Sequence, residues 1–533
     1  MADAERHPNP VEASDIGQRL YRFPGGLKLR HHKKMACERP LERLPTPERL
    51  YLPLKQHQGS TGELLVEVGQ QVQKGQPLTR SSNDRSVPIH APTSGTIEGL
   101  RDWPVSYPPG QLAATLVLVS DGQEQWISRN PEPNWHSLDS AEIVDRLRAG
   151  GLAGLGGAMF PTAAKLRGQW PKLHTLILNG SECEPYISCD EMLMRNHPEQ
   201  VIQGGLILGH ALGVEQIVIG IEDQMGAVKR AFDQVLDEVD PDQKCRVIQV
   251  SKIYPEGGER QLIQVLTGHE VPHNGLPQDL GLVCLNVATA AAACECIVEG
   301  TPIIERIVTI SGPAVNQPRN LVVPLGTPIA ELLAAAGGVD DDLDRLILGG
   351  PMSGLPLASD QIPIVKGSNC VLALGREHTQ RQQPEMPCIN CGECVRVCPA
   401  SLLPQTLFKH LRAEQFEQAD RLNLFDCIEC GCCAHVCPSH IPLVDYYRHG
   451  KGQLRVLGME DARASRAKAR FEAREQRIEQ DRAERRQKRE QREQKLQQPK
   501  VAMDEVQAAI ERARQRKGAS SDQSDHPDTD SCS

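Results

Sequence analysis

The chain has 533 residues and a net charge of −10; apolar residues make up 39% of it and aromatic residues only 3%. At roughly 100–200 residues per domain, this length predicts several domains. The negative charge and the scarcity of aromatic rings argue against nucleic acid as a partner, because binding it relies on phosphate neutralisation and base stacking. No apolar run reaches the ~20 residues of a membrane-spanning helix, and the first residues lack the pattern of a signal peptide. We therefore expect a cytoplasmic protein without a transmembrane helix of its own.

The N-terminal part is predicted to comprise a disordered segment, residues 1–20, and a β-rich module, residues 21–125. Within the module, residues 62–97 contain short apolar runs that glycine and proline interrupt, a pattern typical of paired strands. The spacing of the glycines and the sequence His90-Ala-Pro resemble the biotinyl/lipoyl β-hammerhead (barrel-sandwich) fold. The turn at residues 82–85 lacks the lysine that such carrier domains modify, so we expect a structural module rather than a swinging arm.

Residues 138–302 alternate apolar strands with amphipathic helices. Strands are predicted from Thr175, Gln216 and Arg246, with helices from Pro198 and Met225 between them. This rhythm predicts a Rossmann-like α/β domain whose parallel sheet is covered on both faces. Ligands of such sheets lie in the loops at the carboxyl ends of the strands, so functional residues are expected there.

Three regions follow in the chain. Residues 303–376 contain a predicted hairpin, a helix and a further strand; they resemble the soluble-ligand-binding β-grasp module, which we expect to be a spacer that positions its neighbours. Residues 377–448 hold nine of the 18 cysteines and are predicted to form a helical ferredoxin domain, with a helical pattern from Ala400 to Phe425. Residues 449–533 are highly charged without an apolar stripe, which predicts a solvated single helix or a disordered tail, with disorder over the last dozen residues.

The cysteines between Cys388 and Cys437 form two runs of the pattern C-x2-C-x2-C-x3-C-P. This run is typical of [4Fe–4S] proteins, in which three thiolates hold one cluster and the fourth cysteine holds the other. Zinc favours two C-x2-C pairs around one tetrahedral site and is the less favoured alternative; Cys432 is predicted not to be a ligand. The predicted ligand sets are Cys388, Cys391, Cys394 and Cys437 for the first cluster, and Cys398, Cys427, Cys430 and Cys433 for the second.

A glycine-rich segment runs from Gly150 to Lys165, and such loops present backbone N–H groups to phosphate. It resembles the R-G-x-G-G-A-G-F-P-T-x-x-K loop of the flavin-bearing, NADH-oxidising subunit of respiratory complex I. Three later segments, which begin at Asn179, Tyr254 and Leu285, resemble motifs of that protein in the same order. The resemblance implies non-covalent FMN and NADH as ligands.

The same resemblance implies the residues that hold these ligands. Phe160 and Glu184 would meet NADH, with Phe160 stacked on the adenine. Hydride transfer to a flavin requires no acid–base pair, so no catalytic residue is predicted; the flavin would convert two-electron into one-electron transfer. The residues implied for FMN are Gly154, Gly156, Gly157, Lys165, Asn179, Glu182, Tyr254, Asn286 and Thr289.

The order of the modules resembles the C subunit of the Rnf/Rsx ion-translocating oxidoreductase (electron transport) complexes. The resemblance implies a peripheral protein on the cytoplasmic face of the bacterial inner membrane. It would pass electrons, in either direction, between NADH, FMN, two [4Fe–4S] clusters and the integral membrane and ferredoxin-like subunits of an ion-moving complex. Two alternatives stay open: a soluble flavin and iron–sulfur subunit of a hydrogenase or formate dehydrogenase assembly, and a non-enzymatic ferredoxin-type adapter.

Overall fold

The computed structural model describes residues 11–168, 170, 172–379, 384–497 and 499–518. They divide into two compact units, one up to Lys451 and one from Gly452. Within the described ranges, no helix is both long enough and apolar enough to cross a membrane.

The β-rich module contains a four-stranded antiparallel sheet and a separate two-stranded ribbon. Leu50, Leu52, Ile97, Leu116 and Leu118 point into its core and are almost fully buried. The predicted paired strands are confirmed, but three of them are only two residues long. The four-stranded sheet has, in spatial order, the strands Arg49–Pro53, Leu112–Ser120, Gly95–Pro104 and Gln71–Val72, and the ribbon pairs Glu63–Leu64 with Thr79–Arg80.

The second module is built on a four-stranded parallel sheet, as the sequence predicts. Its spatial order is Cys245–Val250, Gln216–Glu222, Thr175–Gly180 and Leu282–Asn286. The direction of winding therefore reverses between the last two strands, and doubly wound sheets bind their ligands at this reversal. The α-helices of the module are Ser140–Ala149, Thr162–Leu166, Cys189–Asn196, Pro198–Leu212, Gly226–Val239, Glu259–Thr267 and Val287–Cys294. Shorter helical turns are Trp135–Ser137, Pro277–Leu280 and the π-helical Glu295–Glu299.

The prediction of disorder over residues 1–20 is wrong for residues 11–20; residues 1–10 lie outside the described ranges. Val11 and Ile16 are buried in one apolar cluster with Ile177 and Val218 of the parallel sheet. The amide of Gly17 donates to the carbonyl of Leu266 at 2.9 Å. The segment, with its short turn Ala13–Asp15, is ordered because it covers one face of a sheet more than 150 residues away.

The third module has a six-stranded mixed sheet. Its first strand, Glu42–Arg43, comes from the N-terminal module and pairs with Arg319–Pro324, which the sequence did not indicate. The predicted hairpin is confirmed as Glu305–Ser311 paired with Arg319–Pro324, and the predicted helix is Ile329–Ala335. The remaining strands are Cys370–Gly375, Leu343–Leu348 and Leu355–Pro356, and the other short helices beside this sheet are Lys34–Cys37 and Arg376–Thr379.

The cysteine-rich region consists of short helices. The helical stretch predicted from Ala400 to Phe425 divides at Glu414, whose φ of 56° is left-handed and ends the first helix. The helices are Glu393–Arg396, Pro404–Arg412, Phe416–Arg421, the turn Leu424–Asp426 and Cys432–His435.

The charged C-terminal region is helical, in agreement with one of the two predicted alternatives. The helices are Leu443–Gln497 and Pro499–Gly518. Every side chain from residue 455 to residue 495 is exposed, so this part of the second unit buries no core. The predicted disorder of the last dozen residues lies outside the described ranges.

Candidate functional site

Two asparagines mark the point where the parallel sheet reverses. Asn179 is the penultimate residue of its strand and Asn286 ends the neighbouring strand, and the two lie in register. The side-chain amide of Asn179 donates to the carbonyl of Gly257 at 2.8 Å, and that of Asn286 donates to the Asp190 carboxylate at 2.6 Å. The Asn286 oxygen also accepts from the amide of Ala288 and caps the following helix. These side chains hold the loops of the predicted FMN site together.

The glycine-rich loop approaches the sheet at the same place. The amide of Gly154 donates to the carbonyl of Phe160 at 2.8 Å and closes the loop. The amide of Leu155 donates to Thr289 Oγ1 at 3.0 Å, so the buried Thr289 anchors the loop to the helix that follows Asn286. The predicted residues Gly154 and Thr289 are thus brought together, and Phe160, at the end of the loop, is 38% exposed.

The tip of this loop has the form of an anion-binding cradle. A Cβ atom at Gly156 would lie only 2.9 Å from Asn286 Cβ, and Gly157 has a φ of 99° with nothing within 4 Å of such an atom. The amides of Gly156, Gly157 and Ala158 donate to no acceptor among the described residues. Such free, clustered N–H groups suit a phosphate. Ser181 Oγ, in the loop after Asn179, is likewise buried without a hydrogen-bond partner in the described part of the chain.

Lys165 lies one helical turn after the loop, but its ammonium group already has acceptors. Lys165 Nζ is 3.0 Å from Glu259 Oε2 and 2.7 Å from the carbonyl of Cys284. The predicted contact between Lys165 and a flavin phosphate therefore stays a prediction, and any such contact competes with this ion pair.

Glu182 is buried beneath the site and is held at a helix N-terminus. Its carboxylate accepts from the amides of Asp190 and Glu191, at 3.1 and 3.4 Å. The ammonium group of the buried Lys33 is 3.7 Å from the same carboxylate and donates to the Glu182 carbonyl. Burial raises the pKa of Glu182 to about 7, while Lys33 opposes that rise. Sequence reasoning missed Lys33, because it is one of several basic residues near the N-terminus and carries no motif.

Tyr254 connects this site to the second cysteine run. Its hydroxyl donates to the carbonyl of Cys430 at 2.7 Å and lies 3.5 Å from Glu184 Oε1. Glu184 also accepts from the amide of Met352 at 3.2 Å and from the Ser353 hydroxyl, and burial raises its pKa. The structure thus places Tyr254 and Glu184 side by side, at the junction of the second, third and cysteine-rich modules.

The eight predicted ligand cysteines line two separate cavities, and the fourth cysteine of each run lines the cavity of the other run. In the described part of the chain all cysteines are free thiols. Four sulfur donors around an apolar cavity fit an iron–sulfur cluster. The first cavity is lined by Cys388, Cys391, Cys394 and Cys437, with Ile389, Phe408, Ile441 and Leu443 among its apolar residues. The second is lined by Cys398, Cys427, Cys430 and Cys433, with Leu402, Leu407, Val444 and Tyr447.

The two cavities differ in exposure. The amide of Gly26 donates to the carbonyl of Val397, beside Cys398, at 3.1 Å, and a Cβ atom at Gly431 would lie 2.9 Å from the carbonyl oxygen of Met352. Other modules therefore cover the second cavity. At the first cavity Cys391 is exposed and Ile389 is 68% exposed.

Comparison with known families matches each folded module. The model of the RnfC barrel sandwich hybrid domain matches residues 21–123, and that of the Nuo51 FMN-binding domain matches residues 147–295. The SLBB domain matches residues 307–356, and the 4Fe-4S dicluster domain matches residues 387–441.

Relatives over most of the chain are proteins named as the C subunit of an ion-translocating oxidoreductase complex. The protein of Serratia proteamaculans is 43% identical, with 93% of this chain and 70% of the relative aligned. That of Yersinia pestis is also 43% identical, over 87% of this chain and 74% of the relative. The chain belongs to this C-subunit family. The Pseudomonas aeruginosa relative is 44% identical over 94% of this chain, but the chain spans only 66% of that relative, slightly less than two thirds of its length.

Among solved structures, this member of the C-subunit family is similar to two of NAD⁺-reducing [NiFe]-hydrogenase. The air-oxidised form aligns with a TM-score of 0.41 and 21% identity, over 54% of this chain and 55% of the other. The H₂-reduced form aligns with a TM-score of 0.43 and 20% identity, over 59% and 62%.

Proposed function

We propose that the chain is the electron-input subunit of a membrane complex that couples electron transfer to ion translocation. It oxidises NADH and passes electrons to integral membrane and ferredoxin-like subunits from a peripheral position on the cytoplasmic face of the inner membrane. Membership of the C-subunit family supports the assembly, and the FMN-binding and dicluster family matches support the cofactors. FMN supplies the exchange between two-electron hydride transfer and one-electron transfer.

In this proposal the chain's own residues bind and orient the ligands. The free amides of Gly156, Gly157 and Ala158 hold a phosphate of FMN, because clustered N–H groups carry positive partial charge. Asn179 and Asn286 fix the loops around it through the contacts to Gly257 and Asp190. The exposed ring of Phe160 offers a face on which the adenine of NADH can stack.

The single observation that carries the proposal is the hydrogen bond from Tyr254 to the carbonyl of Cys430. Through it, a residue of the predicted flavin site contacts the loop of the second cysteine set directly. The second cavity is therefore the one that adjoins the flavin domain. The first cavity has its loop exposed at Ile389 and Cys391. We assign the second set as the receiver of electrons from the flavin and the first set as the donor to the partner subunits.

The assignment of residues to modules belongs to the same proposal. Residues 21–125 are structural, residues 138–302 bind FMN and NADH, residues 303–376 join them to the clusters, and residues 377–448 hold two clusters. The charged region from residue 449 contributes no ligand.

Analysis of protein purified without oxygen tests the proposal. Chemical assay should find one FMN and about eight iron and eight sulfide per chain, and NADH should bleach the flavin absorbance. A Cys391→Ser, Cys430→Ser double variant is the matched control, since it should lose iron and keep the flavin. Protein that contains the clusters but no flavin, even after incubation with excess FMN, would contradict the proposal and favour a ferredoxin-type adapter.

A further inference from the structure

Two buried cations of the third module reach the glycine-rich loop. Lys366 Nζ donates to the carbonyl of Gly151 at 2.7 Å and to that of Pro88 at 2.8 Å. Arg306 Nη2 donates to the carbonyl of Leu155 at 3.3 Å. Lys366 is fully buried and Arg306 is 6% exposed. Both contacts join the module that the sequence suggested was a spacer to the loop of the predicted FMN site.

Burial of Lys366 is energetically demanding, which indicates a specific task. No carboxylate pairs with it in the described part of the chain, and burial lowers its pKa to about 7. Two features offset the cost of burying this ammonium group. It donates to two carbonyl groups, and it lies just beyond the end of helix Ser140–Ala149, where the helix dipole favours a positive charge. A buried lysine held only by carbonyl groups fixes the positions of those carbonyls.

A third loop carbonyl is also engaged from outside the loop. The amide of Gln58, in the N-terminal module, donates to the carbonyl of Met159 at 2.8 Å. The carbonyls of Gly151, Leu155 and Met159 thus all point to neighbouring modules. The amides of Gly156, Gly157 and Ala158, at the tip, donate to no acceptor among the described residues. A loop whose carbonyls are bound by neighbouring modules and whose amides are left free is the geometry that an anion requires.

We propose that Lys366 and Arg306 are positioning residues, which bind the carbonyls of Gly151 and Leu155 so that the loop amides stay free to bind a phosphate group. The third module is then part of the nucleotide site rather than a spacer. The identity of that phosphate as the FMN phosphate rests on the proposed function. The two cations act through the loop and do not contact the ligand.

The first test compares Lys366→Met with Lys55→Met in the full chain with its clusters. Lys55 is exposed and lies a few residues before Gln58 in the chain. Its replacement therefore removes a lysine near the loop without removing a buried contact. Lys366→Met should weaken FMN binding at least tenfold, because the carbonyl of Gly151 loses the donor that holds it. Amide hydrogen exchange over residues 151–160 should accelerate, while the EPR signals of both clusters stay unchanged. Unchanged FMN affinity and unchanged exchange would overturn the inference.

A second pair of variants separates charge from packing. Arg306→Lys keeps a positively charged donor on the same strand, whereas Arg306→Met has similar bulk without a donor. The lysine variant should retain FMN and the methionine variant should lose affinity; equal behaviour of the two would overturn the inference even if Lys366→Met fails to fold. Wild-type protein that binds no FMN would refute the proposed function instead, so the two failures are distinguishable.

Discussion

Replacing Tyr254 by phenylalanine removes one hydroxyl from the contact between the flavin domain and the second cysteine loop. The ring is 5% exposed and packs in one apolar cluster with Cys183 and Cys432, so Tyr254→Phe preserves the packing. It leaves the carbonyl of Cys430 without the donor that lies 2.7 Å away.

Leaving this partly buried acceptor unpaired costs about 1–3 kcal/mol. Local opening of residues 427–433 should therefore become about 5- to 150-fold more frequent, since these free energies convert directly into opening equilibria. Residues 388–394 belong to the first cavity and make no contact with Tyr254, so their opening should not change.

Hydrogen exchange measured by mass spectrometry on the anaerobic protein reads both loops in one experiment. Tyr107→Phe is the matched control, because Tyr107 is 64% exposed. Faster exchange confined to the second loop is expected. Equal acceleration of both loops, or none in either, would refute the reasoning that Tyr254 supports the second loop specifically.

Three further changes test other parts of the account. Cys398→Ser should alter the same EPR signal as Cys430→Ser and spare the one that Cys391→Ser removes; loss of a signal shared with Cys391→Ser would mean sequential ligation. Deletion of residues 461–533 should leave NADH–ferricyanide activity intact, because the exposed helix covers no core; loss of bound flavin would contradict this. Burial raises the pKa of Glu256 to about 7. Between pH 4.5 and 7 its carboxyl group therefore stays protonated in the native state and ionises in the unfolded state. The free energy of unfolding should fall by up to about 3 kcal/mol as the pH rises through that window. Glu256→Gln lacks this loss, so the difference between its thermal midpoint and that of the wild type should increase from pH 5 to pH 8. A difference that stays constant over this range would show that the pKa of Glu256 is not raised by burial.

The sequence predicts local patterns well in this protein. The strands predicted from Thr175, Gln216 and Arg246 and the helices predicted from Pro198 and Met225 begin within one residue of the predicted positions, but the helix Cys189–Asn196 between them was not predicted. Asn179 and Asn286 were expected at one site only from the resemblance to the complex I subunit, because no strand was predicted before Asn286; the structure adds the strand Leu282–Asn286 beside Thr175–Gly180. The cysteine spacing predicted which thiols share a cavity, since the reach of each turn is fixed by the chain itself.

Contacts between distant segments were not predictable in the same way. Lys33, Arg306 and Lys366 carry no motif, and their roles depend on how three modules pack around one loop. Ile16 is buried because it packs against a sheet more than 150 residues later in the chain. The sequence of residues 11–20 alone does not predict this packing. The helix divides at Glu414 because the backbone of this residue is left-handed. The apolar pattern of the sequence did not predict that conformation.

Electron transfer from NADH through the second cysteine set to the first is the central claim. EPR spectra of Cys430→Ser and wild-type protein, mixed with NADH in excess over NAD⁺, test it most directly. In the wild type, NADH should reduce the flavin and the cluster of Cys391. In the variant, it should still reduce the flavin, while the cluster of Cys391 responds only to dithionite. Reduction of that cluster by NADH at the wild-type rate in Cys430→Ser would contradict the account.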